Sequence, residues 1–272
     1  MLSEKKYLEL QRLFYKRFRT IPGSGRYIPY EDHAIPSDMG QGTEWWIFHT
    51  MAEEFNQELK NEINGFLTNI RKLEAWSQIE TESEFDLDLK YDFCVEIFDP
   101  VASAVLNTPY IVSQRFIYCS TMLLHQTRMI VDPDWKDGEL DEGKIIEDTL
   151  EMFRKFFENR DDKIKPVFRK VRKNVHNIHQ FSSSTGNYRN LYHHRIRRRV
   201  GIGITSMIGR MRNDDGAISY GFGGLQPIEI SEILPEIYKQ HGICVRTFDA
   251  YWDLVTELLK IWEREQPCAK VV

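Results

Sequence analysis

The chain of 272 residues lacks several patterns that would assign it to a common class of protein. No apolar run approaches the roughly 20 residues of a membrane-spanning helix. The N-terminal segment MLSEKKYLELQRLFYKRF has no uninterrupted apolar stretch after its charges, which excludes a secretory signal. The four cysteines stand far apart and form no CxxC pair, which argues against a zinc site or a redox motif. We therefore expect a soluble, cytoplasmic protein with no membrane partner.

The motifs of several enzyme classes are also missing. The sequence contains no G-x-S-x-G, H-E-x-x-H, G-x-x-x-x-G-K or E-x-x-H pattern, so none of the corresponding hydrolase, metal or nucleotide sites is indicated. His49 and Glu53 are four residues apart on a predicted helix and could share a metal, but the spacing is more typical of an ordinary helical pair. We expect neither a metal nor another cofactor.

Acidic residues are absent from one long segment. Residues 163–212 hold 13 Lys or Arg and no Asp or Glu, a net charge of +13, together with four of the eight histidines. We call this segment the basic window. Residues 31–162 hold 11 Lys or Arg against 29 Asp or Glu, a net charge of −18. Because like charges at this density repel one another, the basic window predicts a partner of opposite charge.

Two kinds of partner could neutralise the basic window. One is nucleic acid, whose phosphates release counterions when Lys and Arg neutralise them, and we favour RNA. The other is an acidic protein surface, which belongs either to a different protein or to the acidic segment of a second copy of this chain. Salt weakens both kinds of complex, so charge alone leaves both open.

The spacing of apolar residues predicts an all-α fold, a helical bundle with little or no sheet. By charge, the chain divides into a helical N-terminal region over 1–160, acidic from residue 31, and a basic helical region over 161–272; one continuous domain is the alternative. The predicted helices cover residues 2–19, 43–75, 88–106, 109–131 and 141–158, two segments of the basic window on either side of SSSTGN, a short stretch near Ser231, and residues 246–264.

A candidate catalytic group lies in the segment YRNLYHHRIRRR, which contains Arg189, Asn190, His193 and His194. On a helix, His193 shares a face with Arg189, whereas His194 is rotated by about 140° from it. Histidine exchanges a proton near neutral pH, and arginine stabilises charge that develops on a phosphate. Asn190 could position a phosphate or a ribose hydroxyl. The group therefore contains the chemistry needed to cut RNA without a metal.

Further residues of the basic window are candidates for contact with nucleic acid. Tyrosines can stack on bases, and arginines between them can follow the phosphate backbone. We predict nucleic-acid contacts from Arg169, Arg172, Lys173, Tyr188, Tyr192, Arg195, Arg197, Arg198, Arg199, Arg210, Arg212 and Asn213.

The arrangement of Arg189-Asn190 followed by His194 resembles the Arg-x4–6-His motif of the HEPN superfamily. The resemblance covers at most residues 163–265. It implies a helical domain of the kind found in prokaryotic toxins, toxin–antitoxin systems and anti-phage abortive-infection proteins. It also implies a metal-independent ribonuclease whose active site forms across a homodimer, with Arg189 holding phosphate and His194 or His193 acting as acid or base.

A second stretch, GIGITSMIGRMRNDDGAISYGFGG over 201–224, resembles the R-N-x-x-G-x-x-H-G signature of abortive-infection C-terminal HEPN domains. Arg212, Asn213 and Gly216 fit this signature, as does Gly221, but Ser219-Tyr220 stands where the histidine is expected. If this stretch is the true motif, the site has lost its general base. The alternative is an apolar helix in which glycines allow close packing, ending at the glycine terminator Gly216.

Two functions of other classes compete with RNA binding. One is a non-enzymatic helical interaction protein whose basic face docks on an acidic partner or a second copy. The other is a small-molecule enzyme or sensor built from the Pro/Gly-rich loop over 20–42. Its candidate residues are Glu31, Asp32, His33, Trp45 and Trp46, although paired tryptophans at a helix start are more typical of a core.

Overall fold

The structure is a computed structural model, and it describes residues 2–22, 24–37, 42–82, 85–145, 147–160, 163–179, 181 and 185–265. These residues are predominantly helical, with one small two-stranded sheet, so the predicted all-α class is confirmed. The elements in chain order are α1 (Leu2–Thr20), α2 (Gly42–Glu82), α3 (Leu87–Phe93), a π-helical turn (Cys94–Phe98), α4 (Asp99–Val131), two 3-10 turns (Asp137–Glu139 and Glu142–Lys144), α5 (Glu147–Arg160), α6 (Ile164–His179), α7 (Tyr188–His194), β1 (Ile208–Arg212), β2 (Ile218–Phe222) and α8 (Ile230–Glu265).

The chain packs into two compact units, each made of three separate segments. Unit one comprises Met1–Gly25, Gly65–Thr108 and Gln180–His241. Unit two comprises Arg26–Asn64, Pro109–His179 and Gly242–Val272. These two units are defined by packing. The division at residue 160 is defined by charge, which is a different property, so that division stays a prediction.

Helix α2 illustrates why apolar spacing located most of the helices. Its apolar side chains Leu59, Ile63 and Leu73 are buried. Trp76 and Ile79 continue the same spacing, so the helix extends beyond the predicted end at residue 75. The predicted start of α5 at residue 141 is wrong, because Glu142–Lys144 forms a separate 3-10 turn.

The prediction that Pro109 begins a helix is wrong, because Pro109 lies inside α4. A proline within a helix removes one backbone donor and crowds the preceding turn. In that turn, the Asn107 side chain donates to the carbonyl of Ser103 at 2.8 Å, and the Thr108 hydroxyl donates to the carbonyl of Ala104 at 2.8 Å. These side-chain bonds add partners to the turn, and the helix continues through the proline.

The chain over 201–224 is not a helix. Its strands β1 and β2 pair antiparallel, with Arg210 opposite Tyr220. The turn between them is closed by a hydrogen bond from the Gly216 amide to the carbonyl of Asn213 at 2.9 Å, and Gly216 adopts a φ of 84°. Gly216 therefore serves a hairpin turn rather than a helix end, and the predicted packing role of the glycines in a helix is wrong.

The final segment forms one helix rather than two. Helix α8 runs from Ile230 to Glu265 without a break and contains Pro235 near its start. Pro235 is the sixth residue of α8, so its missing N–H removes one intrahelical hydrogen bond, the one to the carbonyl of Ser231, and the helix continues through it.

Each unit has its own aromatic core. In unit one, Trp76 stacks on Phe93 with ring centroids 4.8 Å apart, and Phe14 meets the edge of Phe93 at 5.4 Å. In unit two, the ring centroids of Phe48 and Trp262 lie 5.0 Å apart, and the indole nitrogen of Trp262 donates to the Thr127 hydroxyl at 3.1 Å. These buried rings account for much of the apolar area removed from water.

Candidate nucleic-acid surface

Helix α7 carries the four predicted catalytic residues. Asn190, His193 and His194 are exposed, whereas Arg189 is half-buried. The rings of His193 and His194 lie with their centroids 6.4 Å apart at the C-terminal end of the helix. The structure therefore presents both histidines to solvent on the same short helix as Arg189.

Tyr188 differs from the other predicted stacking residue on α7. Its ring is buried in unit one, so it packs against the protein instead of being offered to a base. Burial raises the pKa of Tyr188. Tyr192 is exposed; its ring stacks on that of Tyr188, and the guanidinium of Arg197 lies 5.4 Å from its centroid. Tyr192 thus remains accessible, but it already has a cation–π partner.

Arg197 and Arg199 converge on one buried carboxylate, Asp99. The two Arg197 nitrogens donate to the two oxygens of Asp99 at 2.9 and 2.6 Å, and Arg199 donates to Asp99 at 2.7 Å. Arg197 also donates to the Ser103 and Tyr188 hydroxyls, each at 2.9 Å. Burial opposes the charge of Arg197, but its hydrogen bonds to Asp99 and Tyr188 outweigh that effect and raise its pKa.

The π-helical turn positions Asp99 for this role. It ends where the Asp99 amide donates to the carbonyl of Cys94, five residues earlier. Turns of this kind are rare and are found frequently at functional sites. The side chain of Arg198 points elsewhere and donates to the carbonyl of Gln226 at 3.0 and 2.8 Å. Three arginines predicted to follow a phosphate backbone are therefore engaged in holding unit one together.

The hairpin presents strongly exposed aromatic side chains together with exposed arginines. Strand register places six side chains on one face, which we call the hairpin face. Phe222 is 88% exposed and Tyr220 is 70% exposed. The members of the hairpin face are Ile208, Arg210, Arg212, Ile218, Tyr220 and Phe222.

Charge on the hairpin is arranged in two zones. Arg210 and Arg212 lie on the hairpin face, both exposed, and no ion pair involves either among the described residues. The exposed carboxylates Asp214 and Asp215 lie in the turn. Asn213, another predicted contact, accepts a hydrogen bond from the Ser219 hydroxyl at 3.0 Å. An anion would therefore be attracted to the strands and repelled by the turn.

Of the remaining predicted contacts, Arg195 is exposed directly after α7 and the other three lie on α6. Arg169, Arg172 and Lys173 are exposed and belong to unit two, whereas the predicted contacts from Tyr188 onward belong to unit one. Lys170 forms an ion pair with Asp253 at 3.0 Å. The side chain of His179, which also follows an arginine in the basic window, lies outside the described residues.

The loop proposed for a small-molecule site is held by side chains from α2. Asn64 accepts from the amide of Ile28 and donates to its carbonyl, both at 2.9 Å. Lys60 donates to the carbonyls of Tyr30, at 3.1 Å, and Asp32. Burial lowers the pKa of Lys60. These contacts fix the backbone of the loop.

The same row of side chains continues toward the start of α2. Asn56 donates to the carbonyl of His33 at 2.8 Å, and Glu53 accepts from the amide of Ile35 at 2.7 Å. The Nε2 atom of His49 lies 3.2 Å from the carbonyl of Ile35. His49 and Glu53 thus bind one backbone residue. The side chains of α2 that hold the loop follow one another at intervals of three or four residues: His49, Glu53, Asn56, Lys60 and Asn64. This spacing places them on one face of a helix, a signal that sequence reasoning missed.

Two of the five candidate residues for the small-molecule site, His33 and Trp45, pack within the protein, whereas Glu31, Asp32 and Trp46 are exposed. Trp45 is buried, and its indole nitrogen donates to the carbonyl of Ser37 at 3.2 Å. The His33 ring packs edge-on against Phe248 and Trp252, at 5.2 and 4.9 Å. Burial lowers the pKa of His33, and the charge of Lys60 adds to the effect. Trp46 is exposed. Packing accounts for the positions of His33 and Trp45.

The described cysteines are buried thiols. Cys94, Cys119 and Cys244 form no disulfide, and burial raises the pKa of each to about 12. A thiol with so high a pKa is a poor nucleophile at neutral pH. Cys268 lies outside the described residues.

In the part of the chain that the structure describes, no three His, Cys, Asp or Glu side chains cluster so as to hold a metal ion. Over the same residues, no helix combines the length and apolar character required to cross a bilayer.

Comparison with known proteins neither supports nor contradicts the resemblance to HEPN domains. The chain matches no protein-family model, no curated protein and no solved structure. The likeness to HEPN domains therefore stays a prediction.

Proposed function

We propose that this protein binds single-stranded RNA through the hairpin face. The observation that carries the proposal is the register of the hairpin, which sets Arg210 directly opposite Tyr220 and beside the Ile208–Phe222 pair on one exposed face. Aromatic rings stack on bases of any sequence, while adjacent arginines neutralise phosphates.

The spacing of the two rings suits separate bases. Tyr220 and Phe222 are two residues apart on β2, which corresponds to about 7 Å along a strand. That separation leaves room for one base against each ring, as in an extended single strand. The bases of a duplex are already stacked on one another, so a duplex offers these rings no free base face.

Fluorescence anisotropy with a labelled, unstructured RNA, measured across a salt series, tests the proposal. Stacking contributes about 1–3 kcal/mol per base, so we expect Tyr220→Ala/Phe222→Ala to weaken binding by about 100-fold. Replacing both Arg210 and Arg212 with Gln should reduce the slope of log affinity against log salt by about 1.4, because each phosphate contact contributes about 0.7.

Matched controls use exposed side chains away from the hairpin. Trp46→Ala removes a ring that is 65% exposed, and Arg12→Gln removes an exposed charge on α1. Both should leave the affinity within twofold of the original protein. Equal binding by the Tyr220→Ala/Phe222→Ala protein would refute the hairpin face as the RNA site. Binding of an acidic protein in place of RNA would favour the interaction-protein hypothesis.

RNA cleavage at α7 is a second candidate, supported by the exposure of both histidines on the helix that carries Arg189. In this proposal Arg189 holds the scissile phosphate, Asn190 positions the substrate, and His193 or His194 transfers a proton. The resemblance implies a homodimer that shares this site, which sedimentation velocity would detect. Cleavage in EDTA should disappear in His193→Gln/His194→Gln, whose exposed positions tolerate the change, and in Arg189→Ala/His194→Ala. Cleavage retained by the double-histidine variant would exclude this site.

A further inference from the structure

The outer edge of strand β2 carries a row of backbone donors and acceptors. The hydrogen bonds that join β2 to β1 involve odd-numbered residues, as in the bond from the Gly223 amide to the carbonyl of Met207 at 3.1 Å. In an antiparallel pair, the residues between such bonds direct their amides and carbonyls away from the neighbouring strand. The residues of β2 in these positions are Ile218, Tyr220 and Phe222. No hydrogen bond to their backbone groups is present in the described parts of the chain.

The hairpin lacks the packing that usually stabilises paired strands. Every residue of β1 and β2 is exposed or half-buried, so neither face of the two-stranded sheet is covered. Two strands alone are only marginally stable in water, and they commonly gain stability from a third strand or from a helix. The free edge of β2 and its exposed apolar side chains therefore indicate that a further strand completes this sheet.

The two edges of the hairpin differ in charge. Strand β1 carries Arg210 and Arg212, whereas β2 has no charged residue. Pairing β1 symmetrically with the same strand of a second copy would set Arg210 opposite Arg210 of the partner subunit, and like charges directly opposite one another are destabilising. Strand β2 has no such conflict. Charge thus disfavours self-pairing at β1 and permits it at β2.

We propose that two copies of this chain join through β2, antiparallel, into one four-stranded sheet. Tyr220 then pairs with Tyr220 of the partner subunit on the two-fold axis, and Ile218 lies opposite Phe222 of the partner subunit. This register uses all the outward-facing residues of β2, and each pair exchanges two backbone hydrogen bonds. It also sets exposed apolar side chains against one another across the strands. Antiparallel pairing of identical strands is two-fold symmetric, so the assembly closes as a dimer.

This dimer and RNA binding do not compete for the same surface. Side chains project from the faces of a sheet, whereas the two copies join at the strand edge. The hairpin face of each copy therefore stays open, and the two faces lie on the same side of the four-stranded sheet. Neither proposal requires the other.

Sedimentation velocity of the full chain, from micromolar to hundred-micromolar concentration, tests the dimer. Ile218→Pro removes an outward-facing amide, while the bonds within the hairpin keep their donors. By symmetry the dimer loses two backbone hydrogen bonds, so we expect its dissociation constant to rise about 30-fold. The matched control is Ile208→Pro, the same change at an outward-facing position of β1, which should leave the dissociation constant unchanged.

Oxidative cross-linking tests the register, with all variants made in a Cys268→Ser background. In the proposed dimer the two copies of Tyr220→Cys have Cα atoms about 5.5 Å apart, within the reach of a disulfide. The two copies of Arg210→Cys are about 14 Å apart, which is three strand spacings and too far. We expect a covalent dimer from Tyr220→Cys alone on a non-reducing gel.

Four results would overturn the proposal. One is a chain that stays monomeric at hundred-micromolar concentration, and another is a dimer that Ile218→Pro leaves intact, as expected if the copies join elsewhere. Equal cross-linking of Tyr220→Cys and Arg210→Cys would contradict the register. Species larger than a dimer would contradict closure at β2.

Discussion

Replacing Asn64 with alanine should detach the loop over 26–37 from α2. The Asn64 side chain satisfies both the amide and the carbonyl of Ile28, and both residues are buried. Alanine leaves two buried backbone groups without these partners, at a cost of about 1–3 kcal/mol each. We therefore expect Asn64→Ala to lower the free energy of unfolding by about 3 kcal/mol.

Urea denaturation followed by circular dichroism measures this change. Asn61→Ala, at an exposed position one turn away, is the matched control, since it produces the same gain of about 0.6 kcal/mol in helix propensity without a buried contact. Amide hydrogen exchange at Ile28 gives a local readout, and its protection should fall in Asn64→Ala alone. The reasoning would be refuted if the two variants differed by less than 1 kcal/mol (roughly one net hydrogen bond) or if Ile28 kept its protection.

Three further predictions concern buried charged, titratable and thiol groups. Asp99→Asn leaves Arg197 and Arg199 without their shared carboxylate and should destabilise the protein by about 3 kcal/mol in urea denaturation, whereas Asp88→Asn on an exposed site should have little effect. Burial lowers the pKa of His241 from 6.5 to about 4, so the unfolded chain binds a proton first as the pH falls. The free energy of unfolding should therefore be constant with respect to His241 above pH 6.5 and should decrease by about 1.4 kcal/mol per pH unit as the pH falls from 6.5 toward 4. His241→Leu should flatten this slope in pH-dependent unfolding, and an unchanged slope would contradict the assignment. The three buried cysteines should resist iodoacetamide at pH 7.5 and react in urea, as mass spectrometry would detect; rapid alkylation of the folded protein would contradict their burial.

Helices were predictable because apolar spacing directly reflects which face is buried. Helix α2 follows its apolar stripe, and α1 matches its predicted range within one residue. Pro109 misled the prediction, because tertiary packing keeps α4 continuous through a residue that disfavours helix. The hairpin was missed although Asn213-Asp214-Asp215-Gly216 is a turn signal, since each strand has only five residues and alternation over so short a span is weak.

The candidate site was likewise predictable only in part. Sequence alone located the basic window, and the structure places its histidines His193 and His194 at exposed positions on α7. The sequence could not distinguish arginines that are free from arginines that are engaged. Arg197 and Arg199 belong to the second class, because Asp99, about 100 residues earlier in the chain, is brought to them by folding.

The sequence by itself determined the helical class, the buried faces of the long helices and the separation of charge along the chain. These properties depend on local periodicity and composition, which a linear sequence carries in full. Tertiary structure alone decided which polar groups meet: Asn64 with the backbone of Ile28, Asp99 with two arginines, and Arg210 with Tyr220 across a hairpin. The first two pairings join residues far apart in the chain, so their distances are set by the packing of the fold, whereas the third depends on the register of the hairpin.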